Sequence, residues 1–183
     1  MSARTEGYGY LALFILTIPI ANWMIGNVGT ICPKDSPCLI PVGLDIMAPS
    51  GVLMVGLALV LRDLVQRRLG KIWAICAIVA GALLSALVAT PALVVASGSA
   101  FLVSELADFA VYTPLQKNRL VLAVLLSGII GLIVDSIVFL QLAFGNLDYL
   151  SGQILGKTWM ILLALPIIWW LRRRDEKLGF IAA

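Results

Sequence analysis

The sequence lacks histidine altogether and carries little charge. Its 183 residues include no histidine, three cysteines, 13 basic residues and 10 acidic residues. The absence of histidine excludes imidazole metal sites and histidine acid–base catalysis. Charged residues make up only 13% of the chain, too few to cover the surface of a soluble domain. The composition therefore excludes a soluble enzyme, a nucleic-acid-binding domain, a disulfide-dense secreted domain and a disordered segment.

Apolar sequence is abundant, since 61% of the residues are hydrophobic. A membrane-spanning helix needs about 20 mostly apolar residues. Runs of this kind predict spans at about 8–24, 48–64, 72–89, 92–112, 120–144 and 158–171. We predict an all-α polytopic membrane protein in which residues 1–183 form one six-helix domain, with an external loop at about 26–48. The first run lacks an Ala-x-Ala cleavage site, so we expect it to be a retained span.

The basic residues predict the orientation of these spans, because cytoplasmic loops are enriched in lysine and arginine. Only Lys34 and Lys157 lie on the side opposite the termini. Ten lie on the side of the termini: Arg4, Arg67, Arg68, Lys71, Lys117, Arg119, Arg172, Arg173, Arg174 and Lys177. We expect a multi-pass protein of a bacterial inner membrane with both termini in the cytoplasm. The net charge of +3 is explained by the topology and by contact with anionic lipid head groups, so we expect no nucleic-acid partner.

The predicted external loop contains two of the cysteines, Cys32 and Cys38. In an oxidising compartment they form a small disulfide ring; otherwise they are two free thiols in a proline-stiffened loop. The next stretch, 40–50, is interrupted by Pro41 and Pro49 and is too broken for a span. Our hypothesis is that it dips into the membrane edge over an external cavity.

Several predicted spans contain ionisable residues, which are costly at membrane depth and usually functional. Glu105 and Asp108 lie three residues apart on the fourth span, so both carboxylates lie on nearly one face, which Ser104 extends. Asp135 lies in the outer half of the fifth span. In the sequence, Glu105 and Asp135 have no basic residue at their own depth, and we predict that they bind a substrate.

Other polar and aromatic residues have two interpretations each. Arg62 and Asp63, near the inner end of the second span, either form structural ion pairs, with Asp108 as the natural partner of Arg62, or contact the ligand. Asn22 is either a helix-end hydrogen bonder or a ligand contact. Trp23 and Phe101 either stack on a ligand or line an apolar wall.

Small residues on two spans predict close packing between helices. On the third span these are Gly81, Ala82, Ser85, Ala86 and Ala89, and on the fifth span Ser127, Gly128 and Gly131.

Three segments together resemble the queuosine-precursor transporters, also called the vitamin uptake transporter family. They are Leu-Arg-Asp-Leu-Val-Gln-Arg-Arg-Leu-Gly at 61–70, Ser-Glu-Leu-Ala-Asp-Phe-Ala-Val-Tyr at 104–112 and Gly-Leu-Ile-Val-Asp-Ser-Ile-Val-Phe at 131–139. With Asn22, the resemblance extends over almost the whole chain. Gln66 departs from the pattern, since an acidic residue is common at that place.

The resemblance implies six helices folded like the substrate-binding components of energy-coupling-factor transporters. It also implies import of a 7-deazaguanine precursor of queuosine, such as 7-cyano-7-deazaguanine, without catalysis and without a cofactor. A carboxylate can accept from the two adjacent donors of such a base, while Asn22, Arg62 or Gln141 donates to its oxygen. The predicted substrate-binding residues are Asn22, Arg62, Asp63, Ser104, Glu105, Asp108 and Asp135, with Trp23 or Phe101 stacking on the ring.

The energy source stays open at this level. No Walker phosphate-binding motif occurs, so the chain either works alone, with an intramembrane carboxylate carrying a proton, or docks on an ATP-driven module. Docking commonly uses an Ala-x-x-x-Ala ridge on the first helix, but here Ala82 and Ala86 have that spacing on the third. We therefore favour a standalone carrier, with a homo-oligomer as an option. The alternatives are a binding component for another vitamin-like base with an energising module, a membrane-embedded hydrolase using Glu105 and Asp108, and a scaffold subunit.

Overall fold

The computed structural model describes residues 3–34, 37–89 and 91–179. The fold is dominated by six long helices: α1 (Ala3–Asn27), α2 (Val52–Leu69), α3 (Lys71–Val88), α4 (Val94–Leu115), α5 (Leu120–Phe144) and α6 (Leu150–Lys177). Two short strands, β1 (Leu39–Gly43) and β2 (Ile46–Pro49), stand between α1 and α2. The prediction of an all-α fold missed this hairpin, because its prolines and short strands show no alternating apolar pattern.

Five of these helices, all except α2, are long and apolar enough to cross a membrane. Helix α2 carries four charged residues, Arg62, Asp63, Arg67 and Arg68, and all four are buried. It packs against α1, α3, α5 and α6, so these side chains face protein and not lipid. The chain is therefore a helical membrane protein with one charged, centrally packed helix.

The predicted helix limits hold well for α5 and poorly for α6. The fifth predicted span coincides with α5, whereas α6 begins at Leu150, eight residues before the predicted start of the sixth span. Glycine and polar residues in this first part of the helix concealed it, among them Gln153 and Lys157. The placement of Lys157 in an external loop was therefore wrong. Of the two basic residues that the sequence placed in loops opposite the termini, only Lys34 is still assigned to a loop.

The hairpin closes one end of the bundle. Its strands are antiparallel, and Asp45 turns the chain with a φ of 57°. The Trp159 indole on α6 donates to the Val42 carbonyl oxygen at 2.9 Å, and Gly152 lets the β2 backbone approach α6 closely. The stretch predicted to be too broken for a span is this hairpin.

The loop before the hairpin is fastened to α1. Cys32 and Cys38 are joined in a disulfide. The Cys38 amide donates to the Ile25 carbonyl at 2.8 Å, and the Ser50 hydroxyl donates to the Met24 carbonyl at 2.7 Å. The outer end of α1 and the hairpin are thus held together.

Small residues allow the helices to approach one another, as the sequence predicted. On α3, Gly81 faces the Phe101 ring of α4. On α5, Gly128 faces Ile161 of α6, and Gly131 faces Leu59 of α2. A side chain at any of these glycines would overlap its neighbour, so these are close helix–helix contacts.

The opposite end of the bundle is held by ion pairs. Glu6, at the start of α1, bonds to Arg68 at 3.0 Å and to Arg174 at 2.6 Å. Asp175, near the end of α6, bonds to Arg67 at 2.6 Å and to Arg68 at 2.8 Å. The start of α1 and the ends of α2 and α6 therefore meet at one end of the molecule.

Candidate functional site

A cavity lies inside the bundle next to the hairpin, and residues from all six helices line it. It has two adjoining parts of about 60 and 40 Å³, counted as space open to the centre of a water molecule. One water needs about 10–15 Å³ on that measure, so the cavity holds several waters or one small planar ring system. Six residues line both parts: Ala21, Asn22, Val55, Ser85, Phe101 and Asp135.

The cavity is mostly apolar, with a few polar groups directed into it, as is usual for a small-molecule site. Glu105 and Ser104 line the inner part, and Gln153 lines the outer part next to the hairpin. The Asn22 amide nitrogen donates to the Ile18 carbonyl of its own helix at 3.0 Å. Phe101 forms one wall, and its ring lies 5.9 Å from that of Phe14, centroid to centroid.

Asp135 has a basic partner, contrary to the prediction. The Lys157 ammonium lies 2.6 Å from Asp135 Oδ2 and 2.8 Å from the Ser136 hydroxyl, and it also donates to Gln153. The Lys157 side chain is completely buried. The other oxygen of Asp135 has only a long, 3.4 Å contact from the Ser104 hydroxyl, so it can accept from a ligand.

Glu105 also has a basic partner, so that prediction was wrong in the same way. Arg62 Nε donates to Glu105 Oε2 at 2.9 Å. The same guanidinium bonds to Asp108 and lies 2.7 Å from Asp63 Oδ1. Its Nη1 also reaches the Gln66 side-chain oxygen at 3.4 Å. All three nitrogens of Arg62 are therefore occupied within the protein.

The predicted site residues fall into three groups. Five line the cavity: Asn22, Phe101, Ser104, Glu105 and Asp135. Arg62, Asp63 and Asp108 lie behind Glu105, outside the described lining. Trp23 is 59% exposed on the outside of α1, and Gln141 is exposed on α5. Glu105 and Asp135 thus face the cavity, and Glu105 also joins it to the ion-pair cluster of Arg62, Asp63 and Asp108.

Lys157 and Gln153 were missed because the polar start of α6 was treated as a loop. A signal was present, since the two residues are four apart and face the same way once the helix is extended. Gly152 and Gly156 repeat that spacing on an adjoining face, where they pack against the hairpin and α2. A polar stripe beside a glycine stripe is typical of a helix buried on both faces.

The arrangement presents two carboxylate acceptors, on Glu105 and Asp135, in a partly open and largely apolar space. Only Oε2 of Glu105 bonds to Arg62 in the described structure, which leaves Oε1 for a ligand. No group of three or more cysteines and acids among the described residues is placed to hold a metal ion. The site is suited to binding a compact molecule with adjacent N–H donors.

Fold and site together define a helical membrane protein with a mostly apolar interior cavity lined by two acidic side chains. A family model described as "Putative vitamin uptake transporter" matches residues 82–171, just under half of the chain. That segment runs from the second half of α3 into α6 and includes Glu105, Asp135 and Lys157. The match supports the assignment of this segment to the vitamin uptake transporter family. Comparison with curated proteins and with solved structures found no significant match.

Proposed function

We propose that the chain is an uptake transporter for a 7-deazaguanine precursor of queuosine, such as 7-cyano-7-deazaguanine. The observation that carries the proposal is the cavity in which Glu105 and Asp135 each offer a carboxylate oxygen beside the flat ring of Phe101. The family match favours uptake of a vitamin-like solute. The base is favoured by the donor and acceptor pattern of the cavity.

A guanine-like edge has two adjacent N–H donors and one acceptor oxygen. Glu105 Oε1 can accept from that donor pair, and the Asn22 and Gln153 amides are neutral donors in the cavity lining. Phe101 supplies a face for the ring. A site of this kind discriminates strongly, because an analogue without these groups leaves buried polar atoms unpaired.

The proposed topology has six membrane helices, with both termini in the cytoplasm of a bacterial inner membrane. The ion pairs joining Glu6, Arg68 and Arg174 support it, since they hold the first and last helices together at the end rich in arginine. Helix α2 is included because its charges are shielded by surrounding helices. The cavity and the hairpin then face the outside.

We propose a carrier that works without an ATP-driven module. The Ala82 and Ala86 ridge is not a free surface along its length, since Ala86 Cβ and the Ala82 carbonyl face Gly98 of α4. The predicted hydrolase alternative has less support than transport. Glu105 and Asp108 both bond to Arg62, so they do not form the free acid and base pair that hydrolysis would need.

Uptake of labelled 7-cyano-7-deazaguanine tests the proposal in cells that cannot synthesise it and have this chain as their carrier. Glu105→Gln should weaken uptake by roughly ten- to hundred-fold, since a hydrogen bond to a charged group contributes about 1.5–3 kcal/mol. Glu176→Gln is the matched control, because Glu176 is 60% exposed and pairs only with Arg172 in the described structure. Equal uptake by the Glu105→Gln protein and the control would contradict the site.

Asp135 needs a design that separates binding from folding, since Asp135→Asn leaves Lys157 without its carboxylate. The double variant Asp135→Asn with Lys157→Met removes both charges of the pair. If Asp135 contacts the base, the double variant should accumulate in the membrane at wild-type level and still fail to transport. Recovery of transport together with the protein level would assign Asp135 a structural role only.

A further inference from the structure

We propose that Asp63 and Asp108 share one proton, and that this proton is taken up and released during each transport cycle. The proposal concerns residues outside the substrate site. It rests on the proposed function only in assuming that the protein transports a solute. Asp63 lies on α2 and Asp108 on α4, and both are at most 1% exposed. Neither lines the described cavity, so their burial is not explained by ligand binding.

Charge counting is the first argument. Among the described residues, Arg62 is the one cation that the ion pairs place against Asp63, Glu105 and Asp108, so full ionisation of this group would leave two negative charges in excess. Excess like charge at this depth is unfavourable, and neighbouring acids respond by holding a proton. Lys157 does not neutralise the excess, since it is already paired with Asp135.

The geometry singles out two of the three acids. Arg62 Nη1 lies 2.7 Å from Asp63 Oδ1 and Arg62 Nη2 bonds to Asp108 Oδ1, so the two carboxyl groups are neighbours on one guanidinium. Asp108 Oδ2 is buried and has no hydrogen-bond partner in the described structure. Asp63 Oδ1 is in the same position, since its 2.7 Å contact with Arg62 lacks hydrogen-bond geometry. One shared proton satisfies both oxygens.

Polar and charged groups from several helices surround the pair formed by Asp63 and Asp108. Ser127 of α5 donates to Asp63 Oδ2 at 3.1 Å. Arg62 and Glu105 are the charged neighbours, Tyr112 follows one turn along α4, and Arg67 influences Tyr112 from α2. On the far side of Glu105, α5 contributes Asp135 and α6 contributes Lys157, which neutralise each other. Helix α1 contributes Arg4 and Glu6 in its first four residues, and Glu6 belongs to the ion pairs at that end of the bundle.

A polar route leads from the pair toward the ion-paired end. Asp108 and Tyr112 lie four residues apart on α4, Gln116 caps the end of that helix four residues further on, and all three are buried. The Tyr112 hydroxyl and both amide atoms of Gln116 have no hydrogen-bond partner in the described structure. Buried groups of this kind usually bind water, which can relay a proton. On the other side, Glu105 connects the pair to the cavity through Arg62.

Infrared spectroscopy of the full-length protein in lipid nanodiscs tests the proton without any substrate. A protonated carboxyl has a carbonyl stretch that a carboxylate lacks. We expect this band at neutral pH in the wild type and its loss in Asp63→Asn and in Asp108→Asn. In each variant an amide replaces one acid and donates to the other, so the protein should still fold. Asp175→Asn is the control that keeps the band, because Asp175 lies between two arginines.

Two results would overturn the assignment: no band in the wild type at neutral pH, or a band lost in Glu105→Gln but kept in both aspartate variants. Coupling is measured in proteoliposomes with labelled 7-cyano-7-deazaguanine. An inward proton gradient should drive accumulation by the wild type, and Asp108→Asn should lose the gradient-driven part while still binding the base. Wild-type accumulation that ignores the gradient would refute coupling. A protein that shows the band but never transports this base would instead refute the proposed substrate.

Discussion

Arg62 is the residue on which the interior of the bundle depends most, and replacing it is the sharpest test of the structure. Arg62→Met keeps most of the side-chain volume and removes the cation that bonds to Glu105 and Asp108 in the described structure. Both acids are at most 1% exposed, so water cannot replace the guanidinium without opening the bundle. Removing one partner of a buried ion pair costs about 3–5 kcal/mol.

The loss should be visible as a lower melting temperature of the purified protein in nanodiscs. For a chain of this size each kcal/mol lowers the midpoint by roughly 2–4 °C, which predicts a fall of about 6–20 °C at neutral pH. Lowering the pH should reduce the difference in melting temperature between the Arg62→Met variant and the wild type, because protons neutralise the uncompensated carboxylates. The sign follows from linkage: the destabilised folded state of the variant gains more from added protons than the wild type.

Two further proteins complete the Arg62 experiment. Arg172→Gln breaks a pair whose partners are 42% and 60% exposed, and it should change stability by about 1 kcal/mol at most. Arg62→Met combined with Asp108→Asn removes one of the stranded acids and should recover part of the lost stability. A melting temperature of Arg62→Met equal to wild type at neutral pH would refute the buried cluster.

Two predictions concern the hairpin and the cysteines. Gly152→Ala should lower stability by about 1–3 kcal/mol in a thermal melt, because its new methyl group overlaps the β2 backbone, whereas Gly9→Ala meets open space and should not destabilise. Alkylation of the unfolded protein without reductant, read by mass spectrometry, should modify Cys76 alone, because Cys32 and Cys38 are bonded. Three modified thiols before reduction would exclude the disulfide, and three after reduction are expected.

The local features of the chain could be predicted because they depend on neighbours in sequence. Hydropathy alone placed α5 at its observed limits, and the three-residue spacing predicted that Glu105 and Asp108 share a face of α4. The structure confirms the helical membrane class and the packing role of the small residues. The hairpin could not be foreseen, since its strands are stabilised by contacts with α6 and not by a pattern of their own.

The sequence by itself determined that this chain inhabits a bilayer and that a few acids lie where lipid cannot solvate them. The sequence also suggested the pairing of Asp108 with Arg62, which the structure confirms. Only the tertiary structure revealed the basic partners of Asp135 and Glu105, because Lys157 is 22 residues from Asp135 and Arg62 is 43 residues from Glu105. Such pairs form only when separate helices pack at matching depth. Burial then makes their charge balance matter, since a carboxylate removed from water needs a cation, a donor or a proton. Glu105 and Asp135, which face the cavity, each pair with a cation, whereas we propose that Asp63 and Asp108 behind it share a proton.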